Sequence, residues 1–175
     1  MSDILIAYSS RTGNTEKVAK AIFEAAPSRC DIKRISEVKE ISNYNLIIIG
    51  YWIDKGLPSQ EARDFLTRLD EKNIAVFQTL GADPLGEHAM VCFVNAGKLL
   101  PKTTKVLGAL SLRGAISPQL IAAMSKLPKG HPHSPSPETR ARWEAAASHP
   151  DTEDLKSAQT FMLKIIDLYD KYYKK

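Results

Sequence analysis

Ser9, Ser10, Thr12 and Thr15 set four hydroxyls around Arg11, Gly13 and Asn14, directly after the strand-like run Asp3–Tyr8. A helical pattern begins at Glu16. Hydroxyl donors beside a strand-to-helix turn are chemistry for an anion. The start of a helix offers backbone N–H groups with no carbonyl to reach, at the positive end of the helix dipole. Gly13 lets the backbone come close to whatever sits there. A phosphate is the simplest occupant. The sequence has no GxxxxGK[ST] and no GxGxxG, so neither a nucleoside-triphosphate loop nor a dinucleotide turn accounts for the cluster. What remains is a phosphate site built mainly from neutral donors, with more hydroxyls than a helix cap needs.

Two further stretches carry candidate groups. Gly50-Tyr51-Trp52-Ile53-Asp54-Lys55-Gly56 follows the apolar run Leu46–Gly50 and brings two aromatic rings, one of which could stack on a planar ligand. Thr79-Leu80-Gly81-Ala82-Asp83-Pro84-Leu85-Gly86 follows the run Asn73–Thr79. Other candidates fail. His131 and His133 are two apart with no Cys or Asp/Glu cluster, which is not a metal-ligand set. No GxSxG elbow surrounds Ser9 or Ser10. Cys92 falls in a helical apolar pattern and reads as core.

The elements that position these residues alternate. Asp3–Tyr8, Cys30–Ile35, Leu46–Gly50, Asn73–Thr79 and Thr104–Leu112 read as strands. Glu16–Ala26, Ser59–Leu69 and His88–Leu100 read as helices, the last with Met90, Phe93 and Val94 facing inward. Leu155, Ala158, Met162, Ile165, Tyr169 and Tyr172 recur at steps of three and four, with Asp151 as N-cap. Five strands with intervening helices predict a doubly wound parallel sheet, in which ligands bind beyond the carboxyl ends of the strands. Residues 113–150 are too long for an ordinary connection. They hold two helix starts, Ser117-Pro118 and Ser136-Pro137.

Bulk properties fit one domain over residues 1–175, with 43% hydrophobic and 25% charged residues. The charge is uneven: residues 1–100 carry 12 Lys/Arg against 13 Asp/Glu, and residues 101–175 carry 12 against 7. No basic run with interleaved aromatics points to nucleic acid. No apolar stretch reaches the roughly 20 residues of a membrane span. The first strand starts too early to leave room for a leader, and Cys30 and Cys92 show no pairing pattern. The expected location is cytoplasmic.

Ser10-Arg11-Thr12-Gly13-Asn14-Thr15 resembles the flavodoxin signature [ST]-x-T-G-x-T, placed after an N-terminal strand as in that family. The resemblance implies a flavodoxin-like five-stranded sheet in the order 2-1-3-4-5, with 113–150 a helical insertion at the ligand rim. It implies flavin mononucleotide (FMN) held non-covalently. Ser9, Ser10, Arg11, Thr12, Gly13, Asn14 and Thr15 would take the phosphate. Tyr51, Trp52, Asp54, Lys55 and Gly56, with Leu80, Gly81, Ala82 and Asp83, would take the ring. Gly56 matches a family glycine whose peptide turns over on reduction, and Lys55 would favour a negatively charged reduced ring. Where many flavodoxins set a tyrosine over the outer ring face, residues 79–86 have none. GYWIDKG (50–56), TLGADP (79–84) and KGHPH (129–133) further resemble a branch of flavodoxin-like proteins from anaerobic bacteria, some of which accompany flavin-dependent reductases of bile pigments. The implied activity is electron transfer to a partner redox enzyme. The alternative is an FMN-dependent reductase or quinone-type oxidoreductase, including a porphyrinogen dehydrogenase, with its own substrate site under 113–150.

Overall fold

The computed structural model describes residues 2–128, 130–131 and 134–174. Its strands are β1 Ile4–Tyr8, β2 Cys30–Arg34, β3 Leu46–Asp54, β4 Leu57–Pro58, β5 Asn73–Leu80 and β6 Lys105–Arg113. Its α-helices are α1 Asn14–Glu24, α2 Gln60–Leu66, α3 Glu87–Gly97, α4 Pro118–Met124, α5 Pro137–Ala146 and α6 Thr152–Tyr172. Five strands pair in parallel in the order β2-β1-β3-β5-β6, and the short β4 folds back antiparallel on β3. With β4 set aside, this is the predicted 2-1-3-4-5 winding.

Side-chain alternation along the central strands divides the core in two. Ile4, Ile6, Ile48 and Phe77 face one side of the sheet, where α1 brings Val18 and Ile22 and α6 brings Met162, Ile165 and Tyr169. Leu5, Ala7, Ile47, Ile49 and Val76 face the other, under Phe65 and Leu66 of α2 and Ala96 of α3. Wholly apolar strands are what a sheet covered on both faces requires.

Three expectations are corrected. The third strand does not end at Gly50. It runs to Asp54, because Tyr51 and Trp52 stay in register with Gln78 and Thr79 of β5 and Asp54 pairs with Leu57 of β4. The stretch expected to be a loop is therefore a hairpin. In α3, the small residues Ala89, Cys92 and Ala96 face the core, and Met90 and Val94 face outward. Phe93 packs half-buried against the same core, as expected, so the inward face of α3 is three small residues with one ring beside them.

Local signals hold. Ser117 and Ser136 cap α4 and α5 by accepting from the Leu120 and Thr139 amides at 3.2 and 3.1 Å. Asp151 caps α6, accepting from the Glu153 and Asp154 amides, while Asp154 accepts from the Asp151 amide. Lys129, Pro132 and His133 of the KGHPH stretch lie outside the described residues. No helix among the described residues is long and apolar enough to cross a membrane.

Candidate functional site

Three segments meet beyond the carboxyl ends of β1, β3 and β5. The first is the hydroxyl turn. Ser9 extends β1, its amide donating to the Gly50 carbonyl at 2.9 Å. Its buried hydroxyl accepts from Ser59 at 3.0 Å. Ser9 is thus tied into the sheet and braces the turn from behind. Ser10 Oγ accepts from the Gly13 amide at 3.2 Å, closing the turn on itself. Gly13 precedes α1 with φ 92°, in the left-handed region that favours glycine, and makes no side-chain cap. The first-turn amides of Asn14, Thr15 and Glu16 have no helical carbonyl to reach. Thr15 is buried, and its hydroxyl shares a hydrogen bond with Thr79 at the end of β5, 2.8 Å away. Arg11 and Thr12 are exposed on the rim.

Glu16 in this first turn would oppose an anion, but two cations hold it. Lys20 lies 2.9 Å from its carboxylate, and Arg34 at the end of β2 pairs with the other oxygen. These partners, Lys20 first, hold its carboxyl below the usual range. Arg34 also lies over the Tyr8 ring, 5.4 Å from its centroid, and reaches the Ser10 carbonyl at 3.4 Å.

The second segment is the β3–β4 hairpin. Strand alternation sends Tyr51 fully into the core under α2 and α3, so its ring is not available for stacking. Trp52 takes the opposite face, in register with Thr79 and next to the hydroxyl turn. Arg11 lies over its ring at 5.7 Å. Lys55 and Gly56 form the two-residue tip with φ 50° and 80°, the pair of left-handed positions a tight hairpin prefers. Asp54 and Lys55 are exposed. The Gly56 carbonyl accepts from the Asn95 side-chain Nδ2 of α3 at 3.0 Å, so turning that peptide over would break this bond.

The third segment follows β5. The Leu80 carbonyl accepts from Gly114 at 2.9 Å. Gly81 leaves room for Ile116, which a Cβ would meet at 2.6 Å. Asp83 shapes the next turn, its carboxylate accepting from the Leu85 amide at 3.0 Å. The chain leaving β6 then passes the hydroxyl turn. Asn14 Nδ2 donates to the Ala115 carbonyl at 2.8 Å, and the Ala115 amide donates to the His149 carbonyl at 2.7 Å. A groove of about 410 Å³ opens here between Arg11, Thr12 and Asn14 on one side and Ala115, Ile116 and Ser117 on the other. The start of the 113–150 segment therefore lies on the turn.

Arg34, Ser59, Thr79, Asn95 and Ala115 are the contributors that the sequence reading missed. Each acts from another element through tertiary contacts. Thr79 alone left a signal, as a hydroxyl residue closing an apolar strand. One group of metal-ligating type occurs among the described residues, His149, Asp151 and Asp154. It is consumed by the α6 cap, and His149 Nδ1 lies 2.5 Å from Asp154.

A doubly wound parallel sheet with a hydroxyl-lined, uncapped turn after its first strand defines the flavodoxin-like class. A flavodoxin domain model matches residues 5–163, and the chain belongs to that family. A flavodoxin-like domain-containing protein BilS of Clostridioides difficile is 30% identical over 162 residues, covering 90% of this chain and 92% of the relative. A BilS of Clostridium symbiosum is 22% identical, over 92% of this chain and 94% of its own. Oxidised flavodoxin 2 of Bacillus cereus shares the fold with a TM-score of 0.60 at 20% identity, over 95% of this chain and 99% of that one. A Lactobacillus acidophilus flavoprotein solved in complex with FMN gives a TM-score of 0.52 at 18% identity, over 63% of this chain and 93% of that one.

Proposed function

We propose that this chain binds FMN non-covalently and passes electrons to a partner redox enzyme. The observation that carries the reading is the turn at 10–15: amides and hydroxyls converge on the uncapped start of α1, with Thr15 locked to Thr79 behind it. The residues fit the group. A phosphate ester needs donors without a competing carboxylate, and Glu16 is already paired to Arg34 and Lys20. A planar ring needs one aromatic face beside the phosphate turn, and Trp52 is that face. Family membership and the FMN-bound structural neighbour support the same cofactor.

Bound FMN would supply reversible electron storage, and the protein supplies binding, orientation and electrostatics. The first-turn amides and the Ser10, Thr12 and Thr15 hydroxyls hold the phosphate. Trp52 orients the ring, and the backbone of Leu80–Asp83 borders it. Lys55 sets a positive charge at the rim, where negative charge develops as electrons arrive. The electron recipient we infer is an enzyme of the kind the sequence resemblance implies, a flavin-dependent reductase of bile pigments.

The test is a visible absorption spectrum of the purified protein after FMN is added and excess removed, followed by stepwise photoreduction. Retained flavin bands that bleach reversibly are the expected result. Failure to retain flavin would sink the reading. Steady-state turnover with NADH or NADPH and an artificial acceptor separates carrier from reductase: a carrier stays near background until a reductase is added.

A further inference from the structure

The outer face of α3 is apolar and has no cover among the described residues. Met90, Val91 and Val94 are 59%, 46% and 57% exposed, against a buried side made of Ala89, Cys92 and Ala96. At helical spacing, Glu87, Val91, Val94 and Lys98 fall on a single stripe, with Met90 and Gly97 along one flank. Exposed single apolar residues are ordinary, but three contiguous ones on one helix face mark a contact surface.

The order of residues along the stripe names the occupant. Glu87 stands at one end, Lys98 at the other, and the apolar residues lie between them, centred on the midpoint. Among the described residues, neither charge has an ion-pair partner. Laid antiparallel on a copy of itself about a two-fold axis, the stripe is its own complement. Glu87 meets Lys98 of the copy, and Val91 meets Val94 of the copy. Met90, leaning toward the helix N-terminus as helical side chains do, comes to lie over Gly97 of the copy. Gly97 is right-handed helical and has nothing within 4 Å of where a Cβ would stand. Neither a left-handed cap nor a crowded neighbour within the chain explains a glycine there, whereas a side chain seated from outside does. Helix-dipole preference accounts for the signs of Glu87 and Lys98 but not for the apolar residues between them.

We infer that α3 is a self-association surface, and that two copies of this chain pair isologously through antiparallel α3 helices. The patch is small beside the roughly 800 Å² per partner of a standard interface, so the dimer is weak and concentration-dependent. None of the residues in the stripe belongs to the flavin site proposed above.

Sedimentation velocity of the full chain, loaded with FMN, from low micromolar to near-millimolar concentration tests this. The expected result is a monomer–dimer equilibrium. Val94→Glu, which buries a charge at the two-fold centre, should raise the dimer dissociation constant by about tenfold or more. Glu87→Lys and Lys98→Glu should each weaken the dimer, and the double swap should restore it, because only an antiparallel self-pair exchanges both partners at once. All three positions face solvent in the monomer, so circular dichroism should stay unchanged, and the charge swaps, which oppose the α3 dipole, should lower the thermal midpoint only slightly. A chain that is monomeric across the whole range overturns the inference, and the face would then serve a different protein. A dimer indifferent to Val94→Glu, or a double swap that restores nothing, also overturns it.

Discussion

The guanidinium of Arg11 lies over the indole of Trp52, 5.7 Å from the ring centroid, and joins the hydroxyl turn to the β3–β4 hairpin. The two segments that would hold opposite ends of a flavin nucleotide thus touch through a cation and a ring. Arg11→Ala removes the ring contact together with a positive charge beside the proposed phosphate site. We expect FMN affinity to fall by about fivefold, in line with ~1 kcal/mol for such a pair. Quenching of tryptophan fluorescence on FMN titration measures it. An unchanged dissociation constant would show that Arg11 stands outside the site.

Asn14 ties the hydroxyl turn to the segment leaving β6 by its 2.8 Å bond to the Ala115 carbonyl, with Gly114 packed against its side chain. Asn14→Ala leaves that carbonyl without its donor and should cost about 1 kcal/mol of stability. Because the same residue opens α1, FMN affinity should fall too. Chemical denaturation in the apo and FMN-loaded states separates the two effects. A variant equally stable in both states would mean that the 113–150 segment is not coupled to the turn.

What the sequence made legible here was local. The hydroxyl turn, the two Ser-Pro helix starts and the Asp151 cap each follow from residues within one turn of each other. What it hid depended on distant partners. Nothing near Tyr51 and Trp52 reveals which ring reaches the rim, because that is set by how far β3 stays paired with β5. Met90 and Val94 read as core by spacing, yet α3 turns Ala89, Cys92 and Ala96 inward with Phe93 half-buried beside them, and nothing local to the helix shows which stripe the sheet takes. The partners of Thr15, Glu16 and Asn14, namely Thr79, Arg34 and Ala115, lie on other elements, and no spacing rule connects them.

Gly50 lies where the β3 backbone crosses the ring of Phe77. A Cβ at Gly50 would come within 1.9 Å of the ring edge, deep in the core. Gly50→Ala should therefore destabilise by about 3 kcal/mol, at the upper end for overpacking. Adding Phe77→Leu should recover part of the loss. Urea unfolding of the single and double variants checks this, and a single variant as stable as wild type would show that the two strands part easily.

Lys55 occupies a left-handed position at the hairpin tip that asparagine tolerates better. Lys55→Asn should raise stability by up to about 1 kcal/mol. It also removes the rim charge, so the potential for the second electron should fall. Thermal melts and a redox titration read the two effects separately. A higher melting point with unmoved potentials would leave Lys55 a turn residue only.

Arg29 joins both ends of the chain. It lies 2.7 Å from Asp3 before β1 and 2.6 Å from Asp170 in α6. Its hydrogen bonds hold both carboxyls below their usual value of 3.8. A carboxyl with a depressed folded-state pKa binds protons more readily in the unfolded chain. Its contribution is therefore complete above the ordinary value and is lost as pH falls through the folded-state one. Stability should drop in that acidic window through these two groups. In Arg29→Ala both carboxyls return toward ordinary values, so the variant should be less stable near neutral pH and flatter below pH 4. Urea midpoints measured from neutral to strongly acidic pH decide it. Parallel curves for wild type and variant would place the acid sensitivity elsewhere.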